Sequence, residues 1–404
     1  MRKWSVIGLL ALGMMIAFVD RANLSVVLTL KEFRQVFPLT DSQRGLLNSA
    51  FFWSYALLQI PAGWVVDRYG VKWPYAIGFL FWTIVSCLTG FVHTVGQLVA
   101  MRLLLGLGES IVSPASLRWI RFHCPERERG LAIGIYFAGN KIGAAIGVPV
   151  TALLITAFDW RLMFPIVGLG GLIWLIGWLA LVRNNDREIE REAVALAPAD
   201  AVSFGRVMAS PVMWGIILGT FSYSYFLYFS LTWLPAYFVE SRNLSLNSMS
   251  LFTFFSFGGM AVTSALAGWL ADMMIRRGRD PVTVRKGFTI LGLIVASSEV
   301  IGAFSKSQSV ALFFAVFSLT GLGLATANYW ALTQTIIPGG AVGRIAGVQN
   351  CASNLSGIVA PILTGWLKEV TGSYDAPLKA IWFVLLLGIA SYVFLVRPRY
   401  APRA

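Results

Sequence analysis

Charged side chains are scarce in this sequence: only 13% of its 404 residues are Asp, Glu, Lys or Arg. A soluble chain carries about 25%, so the usual water-facing surface is excluded. Cysteine and histidine are rarer still, at three and two residues. Cys87, Cys124 and Cys351 are scattered, which excludes a disulfide framework, and His93 and His123 stand too far apart to form a metal site. No metal and no cofactor is expected. There is no glycine-rich nucleotide loop and no nucleophile triad, so an enzyme is not expected either. Long polar stretches are also missing, with one exception at residues 183–206.

What fills the chain instead is apolar. Hydrophobic residues make up 57% of it. They form about twelve runs, at 4–29, 43–66, 73–92, 95–117, 130–152, 160–182, 210–238, 247–271, 284–303, 308–335, 345–367 and 377–396. A helix of about 20 such residues crosses a bilayer core of roughly 30 Å. The expected fold class is therefore all-α and integral to a membrane, with about twelve transmembrane helices. The first run is too long for a cleaved signal peptide, contains Asp20-Arg21 and is followed at once by another span. It is read as a retained helix.

The formal charge of +13 invites a nucleic-acid reading, but its distribution argues for topology. Of the 32 Lys and Arg, only Arg21, Arg102 and Lys141 lie deep inside predicted spans. The clusters Arg118/Arg121/Arg127/Arg129, Arg183/Arg187/Arg191 and Arg276/Arg277/Arg279/Arg285/Lys286 all fall on one predicted side, the positive-inside pattern. Both termini are expected in the cytoplasm, the partner is a lipid bilayer, and no nucleic acid is expected.

The polar stretch divides the chain into an amino-terminal half, 1–182, a cytoplasmic linker, 183–206, and a carboxy-terminal half, 207–404. An internal echo supports duplication: Ala62-Gly-Trp-Val-Val-Asp67 returns as Ala267-Gly-Trp-Leu-Ala-Asp272, each time at the end of the second span of its half. Two parallel six-helix halves form a transporter plan. Gly139, Gly143 and Gly147 make a ladder at four-residue spacing, which lets helices approach closely in lipid.

The run Phe18-Val-Asp20-Arg21-Ala-Asn23 places a carboxylate and a guanidinium inside the first span. Each charge at that depth costs about 2.5–3.5 kcal/mol on insertion scales, so it implies a partner or a task. Arg21 offers a planar fork matched to a carboxylate and stays charged. The alternative is that it only neutralises Asp20, although neighbours on a helix point about 100° apart. Asp20 and Glu109 are candidate proton carriers. Arg102 lies seven residues before Glu109, on about the same helix face, so a purely structural Arg102–Glu109 pair stays open.

Several motifs resemble the major facilitator superfamily. Gly63-Trp-Val-Val-Asp67-Arg68-Tyr-Gly70-Val-Lys72 is similar to its loop signature between spans 2 and 3, with a weaker copy at Gly268–Arg277, and Arg102-Leu-Leu-Leu-Gly106-Leu-Gly108-Glu109 to its fourth-span motif. Five features resemble its anion:cation symporter family, which includes bacterial galactonate, glucarate and hexuronate importers and sialin-type carriers. These are Asp20-Arg21-Ala22-Asn23, Glu109 with Pro114-Ala115, Pro125–Gly130, Trp160–Phe164, and Asn354–Pro361. The resemblance implies a major facilitator fold and a substrate role for Arg21. Tyr55 and Asn140 match positions associated with substrate contact, and the acids match proton-coupling positions. Asn354 is a further substrate candidate from the second half. Lys141, beside Asn140, departs from the pattern: it suggests a second anionic group on the substrate, with pairing to a span acid or snorkelling to an interface as the alternatives. Gly63, Asp67, Arg68 and Asp272 are the expected gate residues, with Asp67 facing the positive end of a neighbouring helix.

The expected function is secondary active transport by alternating access: proton-coupled import of a small organic anion by a monomer in the cell inner membrane. The alternatives are an organophosphate/phosphate exchanger and a sensor that binds a carboxylate without moving it. An exchanger would be expected to carry a basic residue in each half, and span 210–238 has none. A cationic-drug antiporter fits poorly with Arg21 and Lys141.

Overall fold

The computed structural model describes residues 2–183, 204–336 and 342–401. All regular structure among them is helical, as the composition requires, because a lipid-exposed backbone must satisfy its hydrogen bonds internally. The expected linker falls mostly on 184–203, outside the described residues.

The first long helix, α1, spans Arg2–Val27, and a short helix, α2, follows at Lys31–Val36. Then come α3 (Asp41–Tyr69), α4 (Lys72–Thr89), α5 (Val95–Glu109), α6 (Val112–His123), α7 (Glu126–Ala157) and α8 (Trp160–Leu181). Beyond 203, the long elements are α9 (Pro211–Thr232), α10 (Leu246–Arg276), α11 (Pro281–Ser297), a short α12 (Glu299–Phe304), α13 (Gln308–Ile336), α14 (Val342–Thr371) and α15 (Asp375–Phe394). Helices α5 and α6 share one apolar stretch, as do α11 and α12. Nine described stretches are long and apolar enough to cross a membrane. The predicted spans at 43–66, 73–92 and 345–367 fall on α3, α4 and α14, whose polar and aromatic residues lower their hydropathy.

Helix starts follow local chemistry. Thr40 with Gln43 and Thr94 with Gln97 form reciprocal capping boxes, which satisfy orphaned backbone donors. Asp159 caps α8 by accepting from Leu162 N at 2.7 Å, and Arg161 donates to the carbonyls of Gly90 and Val92. Both are end-of-span charges, as their position predicts.

The contacts divide into two compact units, Met1–Ala197 with Ser245–Ser250, and Pro198–Leu244 with Leu251–Ala404. In the first, α1 runs along α7, and the glycine ladder is the reason. A Cβ at Gly139 or Gly143 would overlap the carbonyl oxygens of Ala11 or Met15, and one at Gly147 would come within 3.1 Å of Ala22 Cβ. Helices α4 and α8 meet through stacked aromatics: Phe79 lies 4.1 Å from Trp174, and Tyr75 leans on Trp174 and Trp178. Each indole N–H reaches a carbonyl, Leu9 O at 2.6 Å and Lys72 O at 3.0 Å, as buried tryptophan requires. In the second unit, α9 lies against α14 and α15, and α11 against α13. The echoed segments occupy equivalent places near the ends of α3 and α10, with Ala62 and Ala267 both buried and Trp64 and Trp269 both exposed.

Candidate functional site

Asp20 and Arg21 are adjacent on α1 and turn to different neighbours. Asp20 Oδ1 accepts from Ser86 Oγ on α4 at 3.0 Å and from Asn23 Nδ2 at 3.4 Å. Asn23 in turn is fixed by Thr151 on α7, whose hydroxyl donates to Asn23 Oδ1 at 2.6 Å. Arg21 Nε donates to Glu109 Oε2 on α5 at 2.8 Å. Its guanidinium carbon sits 4.6 Å from the ring centres of Phe18, Phe51 and Tyr55, a three-ring cage with cation–π character. Arg21 is 5% exposed and Glu109 fully buried.

Glycines bring this group together. A Cβ at Gly106 would strike Phe51 O and Ser54 Oγ, and one at Gly108 would come within 2.7 Å of Trp82 Cβ. Their absence lets α3, with Tyr55, and α4 close on α5 where Glu109 ends it. The Tyr55 hydroxyl lies 3.4 Å from Ser113 Oγ on α6, which also accepts from Tyr136 at 3.3 Å.

Arg102 is buried, 5.5 Å from the Phe51 ring, and its Nε has no hydrogen-bond partner. It faces a cavity of about 10 Å³ together with Asp20, Asn23, Ser86 and Thr89, room for about a single water molecule. Asp20 Oδ2 also lacks a partner. The alternative Arg102–Glu109 pair is not formed among the described residues. Seven residues put the two about 10.5 Å apart along the helix axis, and Glu109 is held by Arg21 instead.

Asn140 and Lys141 are half-buried on α7, and neither hydrogen-bonds to Asp20 or Glu109. Asn354 is buried on α14, in the other unit. Of the residues expected at a gate, Asp67 pairs with Arg118 on α6, not with a helix terminus. With Asp67 well exposed, such a pair is worth about 0–1 kcal/mol. The Arg68 guanidinium lies 5.8 Å from the rings of Trp64 and Tyr69. Gly63 has open space where a Cβ would stand, so no close approach explains it. Asp272 accepts from Arg285 Nη2 at 3.0 Å.

Sequence reasoning passed over Ser86, Thr151, Ser113 and the ring donors Phe18 and Phe51. The hydroxyl residues sit singly in apolar runs, where the only signal is a polar atom that needs a partner in lipid.

The family model described as Major Facilitator Superfamily matches residues 10–361. The chain is 28% identical to the D-galactonate transporter of Escherichia coli, with 98% of this chain and 96% of that protein covered. It is 30% identical to a probable sulfoacetate transporter of Cupriavidus necator, covering 96% and 93%, and 28% identical to the hexuronate transporter of Bacillus subtilis, covering 98% and 94%. These relatives are named as transporters, not enzymes. Among solved structures, a bacterial homologue of the human lysosomal transporter Spinster, inward-facing and unoccupied, superposes with a TM-score of 0.73 at 18% identity over 98% of this chain and 95% of that one.

Proposed function

Since the chain belongs to the major facilitator superfamily of membrane transporters, we propose that it imports a small organic anion of the sugar-acid or hydroxy-acid class together with protons. The single observation behind this reading is the buried Arg21–Glu109 pair, caged by Phe18, Phe51 and Tyr55.

Its logic is a competition for one guanidinium. Removing one partner from a buried pair costs about 3–5 kcal/mol, so Glu109 does not release Arg21 as a bare carboxylate. Once Glu109 takes a proton, its claim on Arg21 weakens, and a substrate carboxylate replaces it on the same fork. Proton and anion then bind as a set and leave as a set. Asp20, held by Ser86 and Asn23 beside the small cavity with Arg102, is the second proton carrier, and Arg102 is the cation that balances it. Tyr55, Asn140 and Asn354 are the residues assigned hydrogen bonds to the substrate, and Lys141 takes a second anionic group.

Alternating access in the inner membrane, with both termini cytoplasmic and the protein monomeric, completes the proposal. Gly63, Asp67, Arg68 and Asp272 serve the gate in it, at the ends of the echoed helices. Net inward movement of positive charge draws about 2.3 kcal/mol per charge per 100 mV from the membrane potential. The names of the relatives, carriers of galactonate, hexuronate and sulfoacetate, favour an acidic cargo. The test is proton entry into proteoliposomes on addition of galactonate, hexuronate, glucarate or sulfoacetate. Uptake with no accompanying proton entry contradicts the coupling. Binding without accumulation makes the protein a sensor.

A further inference from the structure

A third buried acid stands apart from this site. Glu299 opens α12 and is 4% exposed, and the transport reading gives it no task. Its Oε2 lies 2.6 Å from Ser318 Oγ on α13, and its Oε1 has no hydrogen-bond partner. Among the described residues no cation forms an ion pair with it.

Among the described residues, the cations near it contact other groups. Arg242 is within electrostatic reach of Glu299, yet its guanidinium donates to the Tyr237 hydroxyl at 2.8 Å and to the carbonyls of Ser305, Gly302 and Ala303 at 3.1–3.3 Å. Helix α13, which packs on α12, carries no charged residue. Helix α15, which also packs there, offers the exposed Asp375 and Lys379, with Lys379 over the Phe304 ring at 5.2 Å. Tyr237 is the other titratable group nearby. An ionised Glu299 is thus left in an apolar interior with one hydroxyl for company, which costs several kcal/mol.

Ser318 adds an independent argument from valence. Its Oγ is 2.6 Å from Glu299 Oε2 and also 3.3 Å from Ala315 O. A hydroxyl has one hydrogen to give, and a carbonyl and a carboxylate only accept. With an ionised Glu299 the single Ser318 hydrogen is split between two acceptors; with Glu299 protonated, the acid donates to Ser318 and Ser318 donates in full to Ala315 O.

We propose that Glu299 is a proton-binding site of the carboxy-terminal unit, protonated in this conformation and handing its proton to the Ser318 hydroxyl as a hydrogen bond. When the proton leaves, the carboxylate competes with the Gly302, Ala303 and Ser305 carbonyls for Arg242. The strap that Arg242 forms from the end of the Tyr237–Ser241 turn to α12 then loosens. The cation that the site takes is the proton itself, so the proposal stands whatever anion the protein carries.

The test is infrared spectroscopy of purified full-length protein, comparing wild type with Glu299→Gln and Ser318→Ala across a pH series. Glutamine keeps the size and a donor, so folding is retained. The expected result is a protonated-carboxyl C=O band at neutral pH that is missing in Glu299→Gln, shifted in Ser318→Ala and reversibly lost at high pH. A Glu299→Gln spectrum with no band missing overturns the proposal. A band that Ser318→Ala leaves unmoved overturns the hydrogen-bond assignment, and one that no pH removes makes Glu299 a fixed donor and not an exchanging site.

Discussion

Arg21 Nε donates to Glu109 Oε2 at 2.8 Å, while Asp20, one residue earlier on the same helix, faces Ser86 on α4. Three charges that would each be expensive in lipid are thereby split into a paired set and a separate acid. Two carboxylates in unlike surroundings are what a carrier needs to load protons in distinguishable steps.

Replacing Arg21 with Lys keeps the charge and removes the two-donor fork. Binding of the best ligand from a panel of galactonate, hexuronate, glucarate and sulfoacetate is expected to weaken by about tenfold or more, equal to about 1.4 kcal/mol. Isothermal calorimetry on the purified protein measures it, and unchanged affinity removes Arg21 from the substrate site.

The glycine ladder predicts stability without reference to cargo. Gly143→Val forces a side chain against Met15 O and Phe18 Cβ, and overpacking of this kind costs about 1–3 kcal/mol. Gly134→Ala, on the same helix with nothing near its Cβ, is expected to be neutral or slightly stabilising. Thermal unfolding in detergent separates the two, and equal loss in both contradicts the packing account.

Asp280 gives a pH prediction outside the spans. Hydrogen bonds from the Thr283 hydroxyl and backbone N–H hold its carboxyl below the usual range. A depressed carboxyl stabilises the fold above its ordinary range and loses that contribution as pH falls through its folded value. Asp280→Ala is expected to lower stability by about 1 kcal/mol at neutral pH, with the deficit shrinking in acid. A deficit that does not change with pH contradicts the capping role.

The Asp67–Arg118 pair is exposed on its acid side. Arg118→Ala is expected to move the melting temperature little while changing transport rate, if the pair belongs to the gate. A large loss of stability with a normal rate reverses that assignment.

Much of this was legible in the sequence. Nine of the expected spans follow from apolar length among the described residues, and the ladder Gly139-Gly143-Gly147 marks the face of α7 that meets α1. Charge inside apolar runs points to Asp20, Arg21 and Glu109. It does not pair them: helix periodicity relates Arg102 to Glu109 on one helix, whereas the observed Arg21–Glu109 contact depends on how α3 and α4 close on α5 at Gly106 and Gly108 and how α1 meets them. Ser86 and Ser318 were illegible for a related reason. A lone hydroxyl in an apolar run has no periodic signature, and its importance appears only with the acid across from it.

The central claim is that a proton on Glu109 frees Arg21 for the substrate. The most direct measurement is the ligand affinity of wild type and Glu109→Gln over a pH series. Competition predicts that wild-type affinity rises as pH falls, by up to about tenfold per unit for one linked proton, and that in Glu109→Gln most of that dependence is gone and binding at high pH is stronger. A Glu109→Gln protein whose affinity follows pH as steeply as wild type contradicts the account.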